Sequence, residues 1–293
     1  PAGFACYSFV PKSNVPLKVI VLDDTQNEDD GSVDIHGHGF LDPTRWAWLQ
    51  AELAAGQAAD QLMIIAAHIP IAVSNISNET EWWLGGNKND PTKLGDASTT
   101  TQNAVDITGL VNALWNTPNL LMFIAGHRHV NTVKGFPHPT DPEKGFWQVE
   151  TSALRDFPQQ FRTFEIYLNS DYTISIEAVN VDPAVAEGTP AATSRKYAIA
   201  TQQIIQEASK TGNAVNYDVQ PNTSIKLPTM DPSRPQGTPG IPTAADTYKD
   251  PTIQWVDLSK LPTNSVPFNG SYNAHLFKQL TPSMKAKMQA LFP

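Results

Sequence analysis

The sequence predicts an α+β protein built as a layered sandwich, because two kinds of strand pattern occur in it together with amphipathic helices. Unbroken apolar runs at residues 17–22, 62–67 and 120–125 are typical of strands buried on both faces of a parallel sheet. Apolar and polar residues alternate on both sides of Asn169-Ser170-Asp171, which predicts a hairpin suited to the second layer of a sandwich. Nine of the 24 prolines fall within residues 214–270, so an extended C-terminal segment is expected there rather than a second core.

The first sixteen residues are predicted to be irregular, since Pro11 and Pro16 interrupt any regular element. The buried strand that follows ends in Asp23 and Asp24. Carboxylates at a strand end can orient a ligand histidine from behind, or they can cap a turn, and the turn is the favoured interpretation.

Residues 26–41 form a polar loop that carries His36 and His38, either solvated or folded over a site where one histidine contacts substrate. A helix is then predicted to begin at Asp42, with Pro43 in its first turn, and to end at Gly56. Its core residues recur at helical spacing: Trp46, Leu49 and Leu53.

Histidines follow two of the apolar runs at the point where each run ends. His68 closes the run at 62–67, and Gly126 followed by His127 and His129 closes the run at 120–125. Gly126 is expected to let the backbone turn sharply there. A long loop and a helix over residues 105–116 give enough chain for a parallel crossover, which would bring the three imidazoles to one sheet edge. Neutral imidazole is a common metal ligand, although a His-x-His pair also occurs on ordinary loops.

The loop at residues 74–102 is long for a compact domain and contains Trp82-Trp83, which either line the pocket or pack onto the core. Beyond His129, strands are predicted at 130–135 and 145–151. Arg155 and Arg162 are candidates for phosphate contacts, with surface ion pairs as the commoner alternative.

Two helices are predicted in the C-terminal part of the chain. The first covers residues 191–209. The second begins at Thr281-Pro282 and presents Met284, Met288 and Leu291 on one face. Between them, Ile253 and Trp255 are the residues expected to fix the Pro-rich segment to the surface.

Composition excludes several functional classes. The net charge is −9 and the pI about 5.2, so no nucleic-acid groove is expected. No apolar run approaches the roughly 18 residues of a membrane span. Cys6 is the only cysteine, which rules out an internal disulfide.

The runs AAHIPI and IAGHRHVN, about sixty residues apart, resemble the last two signature blocks of the calcineurin-like metallophosphoesterases. The resemblance implies a layered αββα sandwich with a two-metal centre of Mn, Fe or Zn ions. His68 and His127 would hold one metal and His129 the other. Arg128, Asn131 and His38 are the substrate-binding candidates beside them. A phosphate-ester small molecule would be the substrate, and the resemblance favours a periplasmic or secreted location.

Three earlier blocks of that family have no usable counterpart. Asp34-Ile35-His36-Gly37 lies in a polar loop, while Gly86-Asn87 and Gly95-Asp96 follow His68 and lack the partner residues. The chain, which begins with Pro1, is therefore expected to start in the middle of the domain. Residues 1–185 would be its C-terminal half, closest to a bacterial subgroup with a long domain. Residues 186–293 would add a helix, the Pro-rich segment and a terminal helix.

These observations predict metal-dependent hydrolysis of a phosphate ester by the longer protein, with the missing N-terminal half as the partner of this chain. The catalytic residues themselves are not identified, and the isolated chain is expected to be inactive. The alternative is a non-catalytic module that binds metal or phosphate and pairs with another polypeptide. Whether the upstream gene encodes the three blocks distinguishes the two. A structural protein with incidental histidines would require His68 and His127 to point apart.

Overall fold

A six-stranded mixed sheet forms the centre of the fold. The computed structural model describes residues 4–25, 39–71, 103–127, 129, 131–155, 159–181, 183–195 and 273–293. The strands of this sheet are β1 (Tyr7–Phe9), β2 (Leu17–Val21), β3 (Leu62–Ala66), β4 (Leu120–Ala125), β5 (Thr132–Pro137) and β6 (Gly145–Glu150). Their spatial order is β1-β2-β3-β4-β6-β5.

The four inner strands β2, β3, β4 and β6 run parallel to one another, as the unbroken apolar runs predict for β2, β3 and β4. Both edge strands are antiparallel to their neighbours. The parallel arrangement places the carboxyl ends of β3 and β4 side by side, which confirms the predicted crossover.

Strand β1 was not expected, because residues 1–16 were predicted to be irregular. Tyr7 pairs with Val21 and Phe9 with Val19 in an antiparallel register. Three residues are too short a run to show an alternation in sequence, and only pairing with β2 defines them as a strand.

Two helices cover one face of the central sheet: α1 (Pro43–Ala58) and α2 (Ile107–Trp115). Asp42 caps α1 as predicted, with its carboxylate accepting hydrogen bonds from the backbone N–H groups of Thr44 and Arg45. Buried side chains join the helices to the sheet, among them Leu49, Leu53, Leu110 and Leu114. Each fully buried leucine contributes about 1.5–3 kcal/mol by leaving water.

Gly56 does not end α1, contrary to the prediction. It lies inside the helix, and a Cβ at this position would stand 2.3 Å from the sulfur of Met63, so the glycine allows the helix to approach β3 closely. The helix ends with Asp60 in the left-handed conformation at φ 48°. The Asp60 and Gln61 N–H groups then bond back to the carbonyls of Gln57 and Gly56, a Schellman arrangement.

The second sheet contains β7 (Phe161–Leu168), β8 (Ile174–Val181) and β9 (Ala274–Lys278), in that order and antiparallel throughout. The β7–β8 hairpin is the predicted one. Strand β9 was not predicted, since its five residues follow a long Pro-rich stretch and it is defined by pairing with β8.

The two sheets pack face to face around a second cluster of buried side chains. The cluster includes Ile64, Leu121, Met122, Val149, Ile174, Ile176 and Leu276. The opposite face of the three-stranded sheet carries the exposed side chains of Tyr167 and Phe277. The predicted mixed fold of helices and two sheets is thus confirmed, whereas its description as half of a larger domain stays a prediction.

The terminal helix α3 (Pro282–Leu291) begins as predicted, with the Thr281 hydroxyl accepting a hydrogen bond from Met284 N–H. Met284 and Met288 are buried in the cluster between the sheets. Leu291 was expected on the same face but is 46% exposed, because the helix leaves the core in its last turn. The division of the chain at residue 185 stays a prediction.

Residues 190–195 are helical, which agrees with the start of the predicted helix at 191–209. The rest of that helix and the Pro-rich segment with Ile253 and Trp255 lie outside the described residues. Among the helices in the described ranges, none combines the length and apolar character that crossing a membrane requires.

Candidate functional site

The candidate site lies at the carboxyl ends of β3 and β4. His68 follows β3 and His127 follows β4. Backbone hydrogen bonds continue to join the two chain segments beyond the ends of these strands. Ala67 N–H donates to the Ile124 carbonyl at 2.9 Å, and Gly126 N–H donates to the His68 carbonyl at 2.9 Å. The two histidines are thereby held opposite one another by the backbone of adjacent parallel strands.

The imidazoles of His68 and His127 face each other through ring nitrogens. His68 Nε2 and His127 Nδ1 are 3.3 Å apart, and the ring planes meet at 76°. Two nitrogens bound to one tetrahedral zinc ion at about 2.0–2.1 Å would lie roughly 3.3 Å apart, so this pair fits a shared metal. The same distance suits a hydrogen bond between neutral tautomers. The two side chains converge, whereas the interpretation as incidental histidines expects them to point apart.

His129 lies near enough to affect His68 electrostatically. Burial lowers the pKa of His68, and the neighbouring His129 lowers it further. The lowered pKa favours the neutral imidazole, the form whose nitrogen lone pair can bind a metal. All three predicted histidines therefore gather at one sheet edge, and their roles as ligands stay a prediction.

The sharp turn after β4 is not made by Gly126, which was expected to supply it. The positive φ angles belong to His127 at 73° and His129 at 57°. A Cβ at Gly126 would meet His68 and Thr151 only at ordinary contact distances of 3.8 and 3.9 Å. The histidines themselves occupy the left-handed conformation, which non-glycine residues adopt rarely.

Asp24 is fully buried at the end of β2, and its carboxylate accepts hydrogen bonds from the N–H groups of His68 and Ile69. Burial raises the pKa of Asp24 to about 7, against the lowering effect of these N–H donors. Asp23 instead accepts hydrogen bonds from the N–H and hydroxyl of Thr25. Asp23 thus caps a turn, as the favoured interpretation expects, whereas Asp24 binds the backbone of the segment that carries His68.

Gln148 was not singled out from the sequence, although it supports the same segment. Its side-chain oxygen accepts a hydrogen bond of 2.7 Å from Ile71 N–H, and the residue is 1% exposed. A polar residue between the apolar residues Trp147 and Val149 was the available signal. The distant partner 77 positions away was not visible in sequence.

The other candidate residues differ in their hydrogen bonds and in their exposure. Asn131 donates to the Gln160 side chain at 2.9 Å and accepts from Ser152 N–H at 3.1 Å. Arg162 donates to the Glu150 carbonyl, and Arg155 is exposed. The described ranges do not include several other residues considered above: His36, His38, Arg128, Asp34, Trp82, Trp83, Gly86, Asn87, Gly95 and Asp96.

Comparison with known proteins finds similarity among solved structures. No family model matches the chain, and no curated protein matches it. A solved structure of a dimetal phosphatase from Danio rerio is similar with 15% identity and a TM-score of 0.37, over 60% of this chain and 57% of that one. The chain thus spans less than two thirds of the protein it resembles, and the function proposed below rests on its own residues.

Proposed function

We propose that this chain contributes part of the metal centre of a phosphoesterase. One observation carries the proposal: the 3.3 Å approach of His68 Nε2 to His127 Nδ1, the spacing of two ligands on a single metal. His68 and His127 would hold one ion, and His129 would bind a second. The ions are divalent or mixed-valence transition metals, because imidazole suits Mn, Fe and Zn alike.

Bound in this position, a metal pair would polarise a phosphoryl group and supply an activated water for hydrolysis of the ester. The chain's own residues prepare the site. The lowered pKa of His68 keeps its imidazole neutral and available. Arg128, Asn131 and His38 are the residues we assign to binding phosphate oxygens. With a net charge of −9, the protein needs local positive charge to attract such a substrate.

The three histidines form an incomplete centre. Within the described ranges, no group of three or more His, Cys, Asp or Glu residues is arranged to hold a metal by itself. Two imidazoles on one ion and a single imidazole on the other add no negative charge and leave coordination positions unfilled, so each ion would be held weakly. We propose that the remaining ligands come from a polypeptide segment other than the described residues, and expect the 293-residue chain alone to show little or no phosphoesterase turnover.

The experiment is a zinc and manganese titration of this chain by calorimetry, repeated with His68→Ala, His127→Ala and His129→Ala. His275→Ala is the matched control, because this exposed histidine pairs with Glu177 on the second sheet. Weak binding that is lost in the three variants and kept in the control would support the proposal. Unchanged binding in the His68→Ala, His127→Ala double variant would overturn it.

A second candidate is a non-catalytic module that binds metal or phosphate together with another polypeptide. The incomplete ligand set among the described residues favours it. The discriminating measurement is EDTA-sensitive hydrolysis of a phosphate monoester and a phosphate diester by the product of the whole gene. Turnover that depends on His129 selects the enzyme, and metal binding without turnover selects the module.

A further inference from the structure

Side chains from other parts of the central sheet hold the segment that carries His68 through hydrogen bonds. Pro70 has no N–H group, and the other residues of the segment from His68 to Ile71 donate theirs to two buried side chains. His68 and Ile69 donate to Asp24 at 2.9 and 3.1 Å, and Ile71 donates to Gln148 at 2.7 Å. Buried N–H groups need partners, and here they find them 44 to 77 positions away in sequence.

Arg45 holds Asp24 in turn. The guanidinium nitrogen Nη1 donates hydrogen bonds to the carbonyls of Asp23 and Thr25 at 3.0 and 2.7 Å. These two residues precede and follow Asp24 in the chain. The Arg45 side chain is fully buried, and its guanidinium carbon lies 4.6 Å from the ring centre of Phe4. The turn that presents the Asp24 carboxylate is therefore fixed from the helix side of the sheet.

We propose that Asp24 and Gln148 are positioning residues that set the His68 imidazole against His127 before any metal binds. This inference rests on the proposed metal site. The carboxylate does not contact the imidazole of His68. It holds the backbone from which that side chain extends, and the His68 carbonyl is tied in addition to Gly126 N–H. Without Asp24, two buried N–H donors lose their acceptor, so the segment must move to find water and carries the His68 ring away from His127.

The test compares Asp24→Asn with Asp23→Asn in the complete 293-residue chain. Asparagine keeps one acceptor oxygen but turns an N–H donor toward Ile69 N–H. The hydrogen bonds from His68 and Ile69 to residue 24 are therefore weakened, with little change in side-chain volume. The Asp23 variant changes the neighbouring carboxylate, which accepts hydrogen bonds within the turn at Thr25 and lies 3.6 Å from Arg45 Nη1; asparagine keeps an acceptor oxygen at this position. Two quantities are measured: the imidazole ¹⁵N chemical shifts of His68 and His127 without metal, and the affinity for Zn²⁺ alone by calorimetry.

For Asp24→Asn, we expect altered ¹⁵N shifts of both rings and a zinc affinity lowered about 10- to 100-fold, as for other residues that support metal ligands from behind. Asp23→Asn should change neither quantity. If Asp24→Asn retains the native circular dichroism, the wild-type ring shifts and the wild-type zinc affinity, the proposal is wrong. Should Asp24→Asn fail to fold, Gln148→Met is judged by the same two measurements against the same control.

The two readouts separate this inference from the proposed function. If the wild-type chain binds no zinc, the metal site fails, while the ring shifts of the metal-free variants still decide whether Asp24 positions His68. If the wild-type chain binds zinc, and Asp24→Asn binds it equally well with unchanged ring shifts, only the positioning role fails.

Discussion

His127 and His129 occupy a conformation that costs free energy. Both have positive φ angles, at 73° and 57°, in the left-handed region where the side chain crowds the following carbonyl. Such strain amounts to about 1–3 kcal/mol per residue and persists only where the surrounding structure enforces it. These two strained residues are two of the three histidines that the sequence predicts as ligands. The strained backbone lets both imidazoles leave the end of β4 within a three-residue span.

Replacing either histidine with glycine should relieve this strain. Relative to the alanine variant at the same position, His127→Gly or His129→Gly should be more stable by about 0.5 kcal/mol, the relief of strain less the entropy cost of glycine. The measurement is urea denaturation of the metal-free chain. Alanine serves as the reference because it also lacks the ring but keeps the Cβ.

His138 provides the control for this comparison, since it lies outside the residues with positive φ. At that position glycine should be less stable than alanine by about 0.5–1 kcal/mol. If glycine is less stable than alanine at all three positions, His127 and His129 are not strained.

At the scale of elements, β9 joins the two halves of the sandwich through a buried lysine. Lys278 is 4% exposed, and its ammonium donates to the carbonyls of Glu143 and Gly145, just before and at the start of β6. Burial lowers the pKa of Lys278 to about 8, although Asp141 and Glu143 oppose the shift. The contact fixes the second sheet to the first at the cost of burying a charge.

This lowered pKa predicts a pH dependence of stability. From below pH 8 up to the unfolded value of 10.5, the unfolded chain binds more protons than the folded one, so the Lys278 contribution to stability rises with pH. Measured against Lys278→Met, which cannot titrate, the wild-type free energy of unfolding should gain up to about 3 kcal/mol over this range. A difference between the two proteins that stays constant or falls with pH would contradict the assignment.

At the scale of the whole molecule, the C-terminal residues complete a core that begins more than two hundred positions earlier. Met284 and Met288 pack with Leu62, Ile64 and Leu121 between the two sheets. Outside the core, Lys287 of α3 donates to the Ala59 carbonyl just past α1. The terminal helix therefore closes one end of the sandwich and links both of its sheets to the first helix.

Met284→Ala should consequently destabilise the whole fold. Met284 is fully buried, so the truncation removes apolar contacts and leaves a cavity, at a cost of about 2–5 kcal/mol. Lys285→Ala, one position along the same helix and exposed, should change the free energy of unfolding by less than about 0.5 kcal/mol. Chemical denaturation of both variants tests this expectation. If the two substitutions have equal effects, α3 is not part of the core.

Much of the site could be predicted because parallel strands obey simple rules. The apolar runs before His68 and His127 identify buried strands, and the carboxyl ends of parallel strands meet at one edge. The supporting residues could not be assigned in the same way. For Asp24 the favoured interpretation was a turn cap, and Gln148 resembled any polar residue in a strand, because their partners lie 44 and 77 positions away.

The sequence by itself determined the buried strands, the start of each described helix, the β7–β8 hairpin and the three histidines at a common edge. These follow from local periodicity, capping residues and the direction of parallel strands. The tertiary structure alone decided that β1 and β9 are strands, that Gly56 serves close packing, and that His127 and His129 take the left-handed turn expected of Gly126. Each of these features depends on contacts between residues that are distant in sequence, and the sequence of one protein does not show which residues make those contacts.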